Sequence, residues 1–583
     1  MNAIRIIGST VLVTMDYDPE HVATLRGIAA SAQVPRAYDV QTRTWRLPVT
    51  CADALAQAFG TFKWCDQFRR LMNGRQSKWA PAAAVVEQHA PTQAMDTGAM
   101  LKQLSEPLPD GRVPRKHQRE AVLELIRERR RIVRHQMGTG KTLTALLAGK
   151  LLWEAEHLRT VVIARASLME NWRREAYGAG CRAVSVYSSA KIPTPPTDGY
   201  FLVADEAHDY QGGFTTQRGK KFLALASASQ CRGVALLSGT PMKNGLPINL
   251  FPLLKAIKHP LGNDQRAYEA RYCGMHRKTL GNARVDDVAR RVSWRCRCTM
   301  DNRQPWTPRI TSYRCDACGV PVTVRSFIVK DGATNTEELH KLIAPYMMTA
   351  LKSECLDLPP KTRVMQDIEV SATAQASYDA ALAEAKRRYK ARVQAGEVSD
   401  QGEALALMTM VRMAASLAKV EPVTEIAHDI IEQGSKPVIL TEFVETAKAI
   451  AQALGLRGAY HGQAQDRQAL MDAFQRGDAP AFVGTRASAG TGHNLTAGDY
   501  VILHDRGLTP GDNDQAEDRL HRDGQQRNVT SIWPVAFSID RTIDAMNERK
   551  RGVIGTVIDG TEAEASPRAV ASEVMRALCG GAS

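Results

Sequence analysis

Long apolar runs are missing from this sequence: none approaches the eighteen or so residues that a helix needs to cross a bilayer, which leaves no candidate membrane span. Cysteine is sparse and scattered, 11 in 583 residues, so a disulfide framework is not expected and a reducing compartment fits. The N-terminus carries Asp16 and Asp18 directly after short apolar strands, unlike a secretion signal. The expectation is an intracellular protein, cytoplasmic in a bacterial or viral setting, with no membrane partner. Acidic residues are also the scarcer charge, 62 against 76 Lys and Arg for a net charge of +14. That balance favours a polyanionic partner, with nucleic acid the leading candidate. What is present is ample: hydrophobic residues make up 44% of the chain, enough for several buried cores in three or four domains.

The stretch Met137-Gly-Thr-Gly-Lys-Thr-Leu143 follows a short apolar strand at Ile132-Val133 and opens a run in which Leu143, Leu146, Leu147 and Leu151 recur at helical spacing. A phosphate cradle belongs at such a junction. Gly138 and Gly140, with Met137 and Thr139, let backbone N–H groups turn onto a polyphosphate at the positive end of the helix dipole. Lys141 would reach the β and γ phosphates, and the Thr142 hydroxyl would ligate magnesium. His135 stands where the first glycine of a general P-loop is usual. Downstream, the apolar strand Tyr200–Ala204 ends in Asp205-Glu206-Ala207-His208. Two adjacent carboxylates at a strand's C-terminal end suit a nucleoside-triphosphate-hydrolysing site, Asp205 holding magnesium and Glu206 polarising water; the bland reading is a solvated acidic loop.

The chain reads as α/β throughout. Residues 1–68 form a small α+β module in ββαββα order, with Asp18 as a helix N-cap. Residues 69–110 read as a linker, Ala/Pro/Thr/Gln-rich between 79 and 100. Apolar strands then alternate with helices in two blocks, implying two parallel-sheet lobes over 111–360 and 361–556, with a tail over 557–583. Only the first block has a P-loop. The cluster Arg127, Arg129, Arg130 and Arg131 reads as a solvated helix face or, less readily, a DNA contact. The cluster Lys386, Arg387, Arg388, Lys390 and Arg392 reads equally well either way.

In this order the pieces over about 112–552 resemble the superfamily-two ATPases, and within them the Swi/Snf-type DNA translocases. The resemblance implies two RecA-like lobes, ATP and magnesium as ligands, and Gln118 as a reader of adenine. It also gives Asn171-Trp172 a place in a DNA-touching segment and Ser238-Gly-Thr-Pro241 a coupling role. In the second block His461-Gly462, Arg467, Phe474 and Gly490–Thr496 follow the family order, with Gly492 and Gln515 near the nucleotide. The segment Gln515-Ala-Glu-Asp-Arg-Leu-His-Arg-Asp-Gly-Gln525 is close to a family fingerprint. Arg519 and Arg522, three apart on one expected helical face, would reach across the cleft as arginine fingers. Tyr38-Asp39, Thr42-Arg43, Trp45 and Pro48 resemble the HARP module of HepA-related annealing translocases, as do Leu351-Lys-Ser-Glu354 and Leu358-Pro-Pro-Lys361 at the junction between lobes. An aromatic between arginines could stack on single-stranded or junction DNA; alternatively Trp45 is core. Three departures stand out: His135-Gln136 replaces an acidic pair, Thr349-Ala350 replaces an arginine pair, and Leu508-Thr-Pro510 lacks a tryptophan.

Cys296-Arg-Cys298 and, after sixteen intervening residues, Cys315-Asp-Ala-Cys318-Gly319 place four thiolates in two close pairs, suited to structural tetrahedral zinc in an insert at about 290–326. Unrelated free thiols are the alternative, with Cys273 or His276 as substitute ligands. The combined expectation is a monomeric DNA-dependent ATPase that remodels or reanneals duplex or branched DNA in replication, repair or recombination, with ATP, magnesium and zinc as ligands. Its catalytic residues would be Lys141, Asp205, Glu206, Arg519 and Arg522. The competing readings are a strand-separating helicase and a DNA-binding scaffold with a vestigial nucleotide site.

Overall fold

The structure is a computed structural model that describes residues 3–7, 10–14, 19–31, 38–39, 44–58, 63–64, 96–280, 284–286, 291–296, 298, 301–305, 312–323, 325–330, 332–395, 401–489, 494–561, 574 and 578. The chain divides into two units, Met1–Ala90 and Pro91–Ser583.

In the first unit the hairpin Ala3–Ile7/Thr10–Thr14, helix Pro19–Ser31, the pair Tyr38–Asp39/Thr44–Pro48 and helix Ala52–Ala58 succeed one another. A further strand, Lys63–Trp64, runs parallel to Ala3–Ile7 and closes a five-stranded sheet. Period-two alternation puts Val11 opposite Leu47 and Val13 opposite Trp45. All four are buried, together with Ile4, Leu25 and Leu55. Trp45 is therefore a core residue at 6% exposure, which removes it as a stacking platform for bases. The expected N-cap Asp18 lies outside the described residues.

The second unit contains two parallel sheets. The first runs, edge to edge, Met347–Ala350, Arg130–His135, Cys231–Leu237, Tyr200–Ala204, Arg159–Ala164 and Val184–Ser188. Both its faces are covered, which is why its strands read as unbroken apolar runs. Ile132, Val161, Ile163, Leu202, Val234 and Leu236 pack into one core, while their neighbours Val133, Val162, Phe201, Val203, Ala235 and Leu237 pack into another on the opposite face. The second sheet has the order Lys361–Asp367, Val529–Val535, Tyr500–Leu503, Pro437–Thr441 and Phe482–Thr485. Its faces divide in the same way, with Val438, Leu440, Val501 and Leu503 on one side and Ile439, Val483 and Ile502 on the other.

Several expectations give way here. Residues 97–105, assigned to a linker, form a helix N-capped by the Asp96 carboxylate, and its Leu104 is buried in the first lobe's core. The start of the supposed tail is also structural. Helix Ser538–Ile554 leaves the second lobe, and Val553, Val557 and Ile558 enter the first lobe's core beside Leu339 and Ile343. Arg134 pairs with Asp559 there. The insert is longer than expected: His276–Leu280 pairs with Arg325–Val329 as a two-stranded stem, with three-stranded and two-stranded pieces beyond it. The arginine cluster before the P-loop mainly serves packing. Arg130 donates to the carbonyls of Ala226, Ala256 and Cys231, Arg129 pairs with Glu156, and Arg131 pairs with Glu124 and Glu128.

Candidate nucleotide site and cysteine cluster

A parallel sheet aligns its strand C-termini along one edge, the usual place for a ligand in α/β proteins. Here that edge carries the P-loop after Arg130–His135, Asp205-Glu206 after Tyr200–Ala204, Ser238 after Cys231–Leu237 and Arg165 after Arg159–Ala164. Gly138 and Gly140 have φ of 83° and 84°, a left-handed conformation that side chains disfavour. A Cβ on Gly140 would also collide with the Gln118 amide. Helix Lys141–Glu156 begins immediately after this turn.

Lys141 Nζ donates to the carbonyls of His135 at 2.8 Å and Gln136 at 3.2 Å. Burial pushes its pKa down, against the attraction of Glu206 and Asp205. Asp205 accepts Trp172 Nε1–H at 2.9 Å and the Glu206 N–H at 3.0 Å. Burial and then the neighbouring Glu206 charge push the Asp205 carboxyl up to about 6. A desolvated carboxylate pair of this kind suits a divalent cation. Glu206 is held at φ 46°, a strained setting of the sort found at functional sites. His208 Nδ1 lies 3.1 Å from Ser238 Oγ and 3.3 Å from Glu206, linking the acidic box to the Ser238–Pro241 segment. Arg165 is bidentate to Asp209 at 2.8 and 2.9 Å. His135 is buried, and its pKa falls to about 3 through burial and then repulsion from Lys141.

Met137, Gly138, Gly140, Lys141, Thr142, Asp205 and Glu206 line a cavity of about 440 Å³ whose wall also includes Gln118, Arg519 and Arg522. The two half-sites thus meet in one space. Arg519 is buried, and burial followed by repulsion from Arg522 lowers its pKa to about 10. The two arginines do not share a helical face: the helix ends at Glu517 and both occupy the turns that follow. Glu517, the last residue of that helix, is buried and bonded to Arg363, Ser531 and Trp533. Arg115 pairs with Asp523 across the lobes at 2.9 Å.

Other expected ligands have further contacts or lie elsewhere. Gln118 closes a capping interaction with the Arg115 N–H at 2.8 Å and donates at 3.4 Å to the carbonyls of Thr139 and Gly140, bracing the P-loop from beneath. The Thr139 hydroxyl turns inward to the Gln136 carbonyl. Gln515 lines a neighbouring cavity of about 1210 Å³ instead of the nucleotide cavity. Gly492 lies outside the described residues. Sequence reasoning had no role for Trp172 as a holder of Asp205, nor for Arg165, whose partner is forty-four residues away.

In the insert, the sulfurs of Cys296, Cys298, Cys315 and Cys318 all lie within 4.8 Å of one another, at 3.5 Å for Cys296–Cys318 and 3.6 Å for Cys298–Cys315. Tetrahedral zinc with Zn–S of about 2.3 Å requires sulfurs roughly 3.8 Å apart, so the donor set fits a metal. Asn302 is buried, donates to Cys315 Sγ at 3.5 Å and accepts the Asp316 N–H at 2.8 Å. Backbone N–H groups of Cys318 and Ala317, with the Asn302 amide, hold the Cys315 thiol below its usual range. Val292, Trp294 and Tyr313 supply a small core beside it.

The chain matches the SNF2-related domain over residues 186–420, the helicase conserved C-terminal domain over 418–524, and the type III restriction enzyme res subunit over 112–184. Over these segments the chain is similar to the Snf2-type branch of superfamily two. It is 26% identical over 369 residues to the DNA annealing helicase and endonuclease ZRANB3 of Mus musculus, covering 62% of this chain and 30% of that protein. It is also 26% identical over 248 residues to the putative ATP-dependent helicase/translocase YwqA of Bacillus subtilis, covering 38% and 27% respectively. The chain thus spans about a third of the length of these relatives or less. A Sulfolobus solfataricus SWI2/SNF2 ATPase core, solved in complex with double-stranded DNA, aligns at 18% identity over 79% of this chain and 95% of that one, with a TM-score of 0.34. No described helix is long and apolar enough to cross a membrane.

Proposed function

We propose that this chain is an ATP-driven motor on double-stranded DNA that remodels or reanneals DNA structures. The observation that carries the reading is the single cavity lined by the P-loop, the two carboxylates and both arginines, because a vestigial site has no reason to retain both halves. In this reading Lys141 and the P-loop N–H groups bind the phosphates, while Thr142 and Asp205 hold magnesium, which neutralises phosphate charge. Glu206 orients and deprotonates water. Arg519 and Arg522 stabilise charge developing in the transition state. The four cysteines hold structural zinc. The surplus of basic residues supports a polyanionic track, and the SNF2-related match supports duplex DNA as that track. Reannealing has support from the relative whose name includes that activity and from the HARP-like residues of the first unit.

The test is steady-state ATP hydrolysis with no DNA and with single-stranded, duplex, forked and junction DNA. Duplex-containing substrates are expected to stimulate turnover, and displacement of a triplex-forming strand without unwinding of a simple duplex is expected to accompany it. Turnover indifferent to every DNA would overturn the motor reading. Efficient unwinding of a simple duplex would replace it with the strand-separating one.

A further inference from the structure

Two of the departures noted in the sequence lie side by side in the fold. Met347–Ala350 is the edge strand beside Arg130–His135, with Thr349 in register with Arg134 and Ala350 with His135. At the end of this ladder the Gln136 N–H donates to the Ala350 carbonyl at 3.0 Å, and Gln136 Oε1 accepts the Lys352 N–H at 2.7 Å. A neutral amide therefore joins the residue before the P-loop to the junction segment. The Lys352 side chain then leaves the first lobe. It is 7% exposed, and its Nζ donates to the His521 carbonyl at 2.7 Å and pairs with Asp518 at 2.8 Å. Asp518 and His521 immediately precede Arg519 and Arg522. The main-chain carbonyl of the same Gln136 accepts from Lys141.

We infer that Lys352 is a positioning residue that sets Arg519 and Arg522 against the P-loop: its main chain is fixed by Gln136 and its ammonium by Asp518 and the His521 carbonyl. This rests on the ATPase reading above. The physical grounds are burial and direction. A lysine this desolvated is held by its partners: burial lowers its pKa and Asp518 opposes the shift. An ion pair in that setting is costly to break from one side. Lys352 is not among the residues that line the cavity holding Lys141, Arg519 and Arg522. Its effect on chemistry passes through the turn that carries the arginines, which sits so close to the P-loop that a Cβ on Gly138 would lie 3.3 Å from Arg522 Cβ. Misplacing a catalytic group by about 1 Å can cost on the order of 100-fold in rate.

The experiment compares wild type, Lys352→Met, Lys352→Arg, Asp518→Asn, the Lys352→Met/Asp518→Asn double variant and Arg522→Ala. Readouts are kcat and KM for ATP with duplex DNA, affinity for ADP alone and for ADP with aluminium fluoride, and thermal unfolding. Lys352→Met is expected to lower kcat at least tenfold with KM and ADP affinity within about threefold, and to lose most of the extra affinity for the fluoride complex. Lys352→Arg, which retains the charge, is expected to recover part of kcat. The double variant should be little worse than either single one, as for two ends of one link. Near-wild-type kcat in Lys352→Met beside a crippled Arg522→Ala would overturn the positioning role alone. A parallel fall in kcat, ADP affinity and unfolding temperature, unrelieved by arginine, would make Lys352 merely structural. Absence of hydrolysis in wild type would instead remove the ATPase reading.

Discussion

Lys141 and Glu206 sit in the same cavity but fail in different ways when changed. In the proposed function Lys141 supplies charge to a phosphate. In the structure its ammonium rests on the His135 and Gln136 carbonyls, contacts it must exchange when a phosphate arrives. Lys141→Ala is therefore expected to weaken nucleotide binding and abolish turnover together. Glu206→Gln keeps a side chain of the same shape at the same strained backbone position and removes only the proposed base, so turnover is expected to fall about 100-fold or more with ATP still bound. Steady-state hydrolysis beside equilibrium nucleotide titration separates the two, and wild-type turnover in either variant would withdraw the assignment. Such residues are legible because each belongs to a contiguous motif between a strand and a helix. Trp172 and Lys352 are not, because their roles depend on partners 33 and 169 residues away, a proximity that only the folded sheet edge creates.

At the scale of elements, the P-loop turn and the helix under it behave as one unit. Gly140→Ala is expected to lose nucleotide binding, since the turn needs φ of 84° and the new methyl would strike Gln118; strain of this kind costs roughly 1–3 kcal/mol. Adding Gln118→Ala removes the collision but not the backbone strain, so titration of the double variant is expected to show binding still lost. Recovered binding would mean that the collision alone mattered. Fully buried strands such as Tyr200–Ala204 announce themselves as apolar runs. Lys361–Asp367 does not: it is an edge strand, largely exposed and rich in charge, the usual guard against edge pairing. Helix Thr97–Ser105 was hidden by a polar, Ala- and Thr-rich context, although Asp96 supplied its cap. The fingerprint segment was legible as chemistry but not as shape, because its helix ends at Glu517 and the two arginines lie in the turns that follow, not on a helical face.

Across the second unit, stability and metal content report on different layers of the structure. Glu517 is bonded to Arg363 and Lys361 on the edge strand and to Ser531 and Trp533 on the next. Burial alone would raise its pKa, but the Arg363 hydrogen bonds and the Lys361 and Arg363 charges outweigh it and hold the carboxyl at about 2. A depressed carboxyl contributes stability that is present above its unfolded value of about 4.3 and is lost as pH falls through about 2. Glu517→Gln is thus expected to lower stability at neutral pH by on the order of 3 kcal/mol and to flatten the acid limb between about pH 4 and 2; an unchanged limb in denaturant titrations would refute the linkage. The cysteine cluster behaves otherwise, because its sheet pieces connect to the first lobe through the stem His276–Leu280/Arg325–Val329 and no cluster residue lines the nucleotide cavity. Purified protein is expected to carry about one zinc per chain. Cys315→Ser with Cys318→Ser is expected to remove the metal and raise amide exchange in the described parts of 276–329, while basal ATP hydrolysis and the main unfolding transition stay within error. Elemental analysis finding no metal in protein prepared without chelator, with all four thiols titrating freely in the native state, would reduce the cluster to ordinary cysteines and leave its small core of Val292, Trp294 and Tyr313 to hold the insert alone.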